Sequence, residues 1–172
     1  MRSSPSAPVR LARESLAYYL EHGRLLDKPA ELSAELCRRA GVFVSFKKAG
    51  QLRGCIGTFA PTQPTVAEEI IQNAVSAGTE DPRFNPISPG ELADLEVSVD
   101  VLEAPEPIES MDVLDPKTYG VIVRKGRRSG LLLPDLAGVD TVAEQVSIAM
   151  QKAGIRPEEE IELYRFTVTR YI

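Results

Sequence analysis

"VFVSFKKAGQLRGCIGTF", Val42 to Phe59, decides the fold class. Its first seven residues are β-branched, aromatic and basic, the composition of a strand. The last eight, "LRGCIGTF", read as a second strand, and the two runs form a hairpin turning near Ala49-Gly50. The second strand is odd, because Gly54, Cys55 and Gly57 stand where branched side chains belong. Glycine inside a strand marks a bulge or a close approach by another backbone or a ligand.

Outward from the hairpin the period changes. Val9, Ala12, Leu16, Tyr19 and Leu20 have helical spacing with Gly23 as the stop, and Pro29 to Ala40 repeats the pattern weakly. Cys37 in that second helix reads as a packing residue. Thr65 to Glu68 and Thr141 to Glu144 both have capping-box spacing before an apolar helical face. "DPRFNPISP", Asp81 to Pro89, is irregular because its three prolines remove donors. "LEVSVDVL", Leu95 to Leu102, alternates as a half-buried strand. Ala104 to Pro116 reads as a connection, Tyr119 to Pro134 as two strands around a basic turn, and "IELYRFTVTRYI" as one closing strand. No internal repeat is visible. Hairpins with helices between them predict an α+β fold, an antiparallel sheet flanked by helices with a smaller second lobe. Residues 1–8 read as a frayed tail, and 9–172 as a single domain of up to two lobes.

Composition narrows the function classes. A net charge of −5 argues against broad nucleic-acid binding. No apolar run reaches the ~20 residues of a membrane span. The chain has two cysteines and one histidine, so neither a zinc site nor any other metal is expected, and no cofactor motif is present. Two thiols with no secretory leader fit a reducing cytoplasm.

Side chains alternate along a strand, so Arg53, Cys55 and Gly57 share a face, with Arg53 and Cys55 ~6–7 Å apart at Cβ. A guanidinium that close lowers a thiol's pKa. Cys55 and Arg53 are therefore the candidate catalytic pair, with Gly57 leaving open space beside them and Gly54 supplying backbone N–H groups. The alternative is packing: a buried cysteine and glycines that let a helix approach. Asp81 is either an Asx turn or part of a site that brings Arg83 over the signature strand as an anion clamp, its planar fork suiting carboxylate or phosphate. His22 is explained by its helix C-terminus rather than by a dyad with Cys55. Arg124 to Arg128 reads as a solvated hairpin tip, since no aromatics interleave it and no phosphate-loop pattern is present.

"LRGCIG", together with "GVFVSF", "DPRF", "LEVSVDVL", "YGVIVRKGRRSGLLLP" and "KAGI", resembles the AMMECR family from Val9 to the C-terminus. The segment "GVDTVAEQ" and the ending "YRFTV" are most similar to its bacterial branch, which belongs to the AmmeMemoRadiSam system. Val139-Asp140 departs from the Trp-Asp found in other members. The resemblance implies an α+β fold with a larger and a smaller lobe and a cleft near the signature. It also implies a radical-SAM enzyme and a Memo-like protein as partners, and it points to no single reaction. Two readings follow. One is an accessory or binding component recognising a partner through the same cleft, lined by Arg53, Cys55 and Arg83, with Gly54, Gly57, Asp81 and Arg83 as its binding residues. The other is a thiol-dependent enzyme acting through Cys55 on a small anionic ligand.

Overall fold

Ala49 and Gly50 both lie in the left-handed region, with φ of 51° and 76°. Two such residues make the turn whose twist matches paired strands. The hairpin therefore forms where the sequence predicts, joining β1 (Val42–Lys48) to β2 (Gln51–Thr58). The computed structural model describes residues 3–172. It holds helices α1 (Ala7–His22), α2 (Ala34–Cys37), α3 (Val66–Thr79) and α4 (Val142–Ala153). The remaining strands are β3 (Leu95–Leu102), β4 (Glu106–Ile108), β5 (Gly120–Lys125), β6 (Arg128–Leu132), β7 (Glu162–Phe166) and β8 (Val168–Tyr171).

The chain divides into two compact units. Unit 1 takes the described residues up to Leu102 together with Thr169–Ile172, and unit 2 is Glu103–Val168. In unit 1 the sheet order is β2-β1-β3-β8, with β1 antiparallel to both neighbours. Val42, Val44 and Phe46 of β1 and Leu95, Val97, Val99 and Val101 of β3 point to one face. There they pack with Leu16 of α1 and Ile70 and Ala74 of α3. In unit 2 the order is β4-β7-β5-β6, and Val121, Val123 and Leu132 pack with Val146, Ala149 and Met150 of α4.

These two sheets are built alike, which corrects the expectation of no internal repeat. Each has a hairpin, a helix, and a third strand that pairs antiparallel with the first hairpin strand. Each helix opens on Thr-Val-Ala-Glu, with the threonine hydroxyl accepting from the glutamate N–H three residues on. In each, the next residue is polar and fully buried: Glu69 and Gln145. The fourth strands are exchanged. β4 follows β3 in the chain but joins the unit 2 sheet, and β8 follows β7 but joins the unit 1 sheet.

That exchange explains a second correction. The single closing strand expected from "IELYRFTVTRYI" is two strands that meet at Thr167, because the partner changes there. Other differences are local. The weak second helix shrinks to α2, where only Leu36 is buried, and Cys37 at its end is exposed, its thiol donating to Leu32 O at 3.4 Å. The expected connection over 104–116 contains β4 and a short 3-10 turn at Met111–Val113. Of the tail expected over residues 1–8, residues 1 and 2 lie outside the described residues, while Ala7 and Pro8 are already helical. Among the described residues no helix is long and apolar enough to cross a membrane.

Candidate functional site

The glycines of β2 are filled on both sides. A Cβ on Gly54 would collide with the carbonyl oxygen of Ala77, so Gly54 lets the α3 backbone lie directly on the strand. A Cβ on Gly57 would collide with the ring of Phe43, which sits opposite it on β1. The open strip expected over Gly57 is thus occupied by an aromatic side chain. Below, on the α3 side, Thr58 donates to buried Glu69 at 2.9 Å. Glu69 also accepts from Thr62 N, Thr62 Oγ1 and Gln63 N, which ties the loop after β2 to the start of α3. This anchor carried no signal in the sequence beyond its place in the helix's first turn.

Arg53 is not aimed at Cys55. The β1/β2 register passes from Phe46 opposite Gly54 to Lys47 opposite Leu52, leaving Arg53 as the extra residue of a bulge. A bulge breaks alternation and re-aims the side chain. Arg53 instead grips Glu91 through Nε at 3.0 Å and Nη2 at 3.2 Å, and donates to the carbonyls of Asn85 and Pro86. With Lys48 and the Ser88 N–H also bound to it, the Glu91 carboxyl is held down to about 2, the Arg53 hydrogen bonds being the largest cause.

Asp81 and Arg83 are brought onto the signature strand. β2 is an edge strand, and the outward N–H of Cys55 donates to Asp81 Oδ2 at 3.0 Å. Arg83 Nη2 donates to the Cys55 carbonyl at 3.3 Å, and Nε and Nη2 both donate to Asp81. The ion pair thus replaces a partner strand for one residue, which blocks edge-to-edge pairing. The Arg83 hydrogen bonds hold the buried Asp81 carboxyl well below the usual carboxylate range. The Arg83 side chain is 56% exposed, and its Nη1 has no acceptor among the described residues. Phe84 lies under the guanidinium at 5.4 Å.

The Cys55 thiol faces away from α3 and accepts from the Ser45 hydroxyl at 3.0 Å. Burial pushes its pKa up, an effect larger than the opposing pull of Ser45 and Arg83, and buried Asp100 adds to the rise. This reverses the expected lowering by Arg53. Cys55 lies opposite Ser45, and Ser45 opposite Ser98, so a thiol and two hydroxyls form one row across three strands. One step along β3, Asp100 is held by Arg170 of β8 at 2.7 and 2.9 Å. The matching row on unit 2, on the face away from α4, is Leu131, Ile122 and Tyr164.

The remaining candidates fall elsewhere. His22 lies against Tyr18 at the end of α1, with ring centroids 4.2 Å apart and planes tilted by 40°. In the basic turn Arg124 binds Glu162 and Arg128 binds Glu159, so its charge is largely matched within unit 2. Among the described residues no group of His, Cys, Asp and Glu is arranged to hold a metal ion.

Comparison with known proteins places these residues in a family. The AMMECR1 family profile matches residues 9–171. A Thermotoga maritima protein is 53% identical over 167 residues, covering 95% of each chain. A Clostridium acetobutylicum protein is 51% identical over 165 residues, but the chain spans only 35% of that relative's length. The crystal structure of an uncharacterized protein from Pyrococcus horikoshii superimposes with a TM-score of 0.86 at 35% identity. The match covers 95% of this chain and 88% of that one.

Proposed function

The chain belongs to the AMMECR1 family, and from that premise we propose that it is a recognition module whose unit 1 face binds an anionic ligand or partner segment. Ser45, Cys55 and Ser98 form the floor, Arg83 is the clamp, and Asp81 positions Arg83 against the strand. Gly54 and Gly57 act through the close packing that fixes this floor.

One observation carries the reading. The same sheet position that is Leu131, Ile122 and Tyr164 in unit 2 is Cys55, Ser45 and Ser98 in unit 1. Ser45 and Cys55 satisfy each other, and Ser98 adds to this half-buried row a hydroxyl without a protein partner among the described residues, which costs free energy unless a ligand supplies one. Arg83 adds an unused Nη1 donor suited to carboxylate or phosphate.

The thiol-enzyme alternative, with Cys55 as nucleophile and Arg53 as activator, is less well supported. The thiol is pushed up and Arg53 is turned towards Glu91. Recognition beside another polypeptide also suits the Clostridium relative, which carries this domain as about a third of a longer chain. The partners we propose are a radical-SAM enzyme and a Memo-like protein of the AmmeMemoRadiSam system, met in the reducing cytoplasm.

The test is titration of isotopically labelled protein with each partner at micromolar concentration, read by amide shifts. Shifts at Ser45, Cys55 and Ser98, with binding weakened at least about tenfold in Arg83→Ala, are expected for a lost charge-assisted contact. Absence of binding to both, or binding unchanged in Arg83→Ala and Ser98→Ala, contradicts the proposal.

A further inference from the structure

Unit 2 carries a second surface with a different chemistry. Where β4 and β7 pair, a groove of about 480 Å³ has Ile108, Ile161 and Leu163 as its floor on the core-facing side of the strands, and Pro107, Glu109, Glu162 and Tyr164 also line it. Its floor is only partly buried, although Ile108, Ile161 and Leu163 also pack against the unit 2 core. Beyond Glu109 the chain exposes two more apolar residues, Met111 at 38% and Val113 at 46%. Single exposed apolar side chains are ordinary, whereas a groove with further apolar residues just along the chain marks a contact surface.

Charge selects the occupant. The segment from Glu103 to Asp112 holds four acidic residues and no basic one, and the segment from Arg156 to Glu162 holds four acidic residues and one arginine. Arg165 answers Glu106, Arg156 answers Glu158, Arg128 and Lys125 answer Glu159, and Arg124 answers Glu162, so five cations face these eight carboxylates. Glu109 and Glu160 have no cation among the described residues. Strand addition at β4 is disfavoured, since it is three residues long with Pro107 at its centre.

We infer that this groove takes a basic partner segment bearing apolar side chains, held by side-chain insertion between two acidic strips. The inference is independent of the Cys55 face, which lies in the other unit.

A fluorescein-labelled Lys-Leu-Lys-Leu-Lys peptide tests it, with Lys-Ser-Lys-Ser-Lys and Glu-Leu-Glu-Leu-Glu as controls, on the full chain. Expected are amide shifts at Ile108, Ile161, Leu163 and Tyr164, tighter binding than either control, and weakening as salt rises. Glu109→Lys, on an exposed residue, should weaken binding about fivefold or more, and Arg83→Ala should leave it unchanged. The inference is overturned by equal affinity for the Lys-Ser peptide, by shifts confined to other surfaces, or by Glu109→Lys binding like the parent. Loss of peptide binding in Arg83→Ala overturns it too. Because that variant also reads the Cys55 face, the two proposals fail separately.

Discussion

Arg53 and Arg83 exchange the roles that strand alternation assigns them. Alternation puts Arg53 beside the thiol, but the bulge at Arg53 turns its guanidinium to Glu91, and a bulge leaves no mark in residue spacing. Arg83 lies 28 residues away in sequence and reaches the Cys55 carbonyl only because the Asp81 turn folds back onto β2. Asp81 and Arg83 were legible as a candidate site from their residue types, with Arg83 over the signature strand, while the bond from the Cys55 N–H to Asp81 was not. Glu91 gives a prediction at this scale. Its carboxyl sits at about 2 in the folded chain, below the ordinary carboxylate value of ~4.3. A depressed carboxylate contributes stability that is fully present above the ordinary value and is lost as pH falls through the folded one. Denaturant midpoints should therefore decline from about pH 4.3 down to about 2. In Glu91→Gln that part of the decline should shrink, and an unchanged acid profile would remove Glu91 as its source.

Helices and hairpins were the most legible elements, for reasons that are local. Thr65 and Thr141 cap their helices as the spacing predicts, and Gly23 and Gly154 stop theirs with φ of 70°. Fates set by distant backbone were legible only in part. Gly54 and Gly130 each receive a helix carbonyl, from Ala77 and Ala149; the approach of a helix was the packing reading of Gly54, while which helix comes, and that Gly130 receives one too, was not announced by neighbours in sequence. At both sites the nearest atom is backbone and cannot swing aside. Gly54→Ala and Gly130→Ala should each cost about 1–3 kcal/mol or more, measured by denaturant unfolding. Gly90→Ala, at a glycine with open space around it, should cost far less. Equal effects at all three would mean that the close approaches are not rigid.

At the scale of the whole molecule, two units of the same sheet order exchange their fourth strands. Tyr164, Phe166 and Val168 alternate with Arg165, Thr167 and Thr169 straight through the change of sheet at Thr167, so that alternation does not mark it. The same likeness supplies an internal comparison, in which one row is a thiol and two hydroxyls and its counterpart is two aliphatic side chains and a tyrosine. Strand exchange makes truncation act on the unit that owns the strand, not the one that precedes it. Removing residues 168–172 strips β8 from unit 1 and leaves buried Asp100 without Arg170. An uncompensated buried charge is strongly destabilising, by ~3 kcal/mol or more when a pair is broken. Hydrogen exchange should then quicken at Val99 and Val101 of unit 1 more than at Val121 and Val123 of unit 2. Uniform loss of protection would contradict independent ownership of the strand.

On the proposed recognition surface Cys55 is held as a neutral thiol. Burial raises its pKa, and a group whose folded pKa is raised contributes stability below its ordinary value that is lost as pH climbs through the folded one. The direct measurement is the pH profile of Cys55 alkylation, with Cys37, the exposed thiol, replaced by serine. Half-maximal rate should lie above the ~8.5 of a free thiol. It should move higher still in Arg83→Ala, because that guanidinium pulls the pKa down, and Arg53→Ala should change it little. A midpoint below ~8.5 that rises on Arg53→Ala would mean an activated thiolate, and the recognition reading would give way to nucleophilic chemistry.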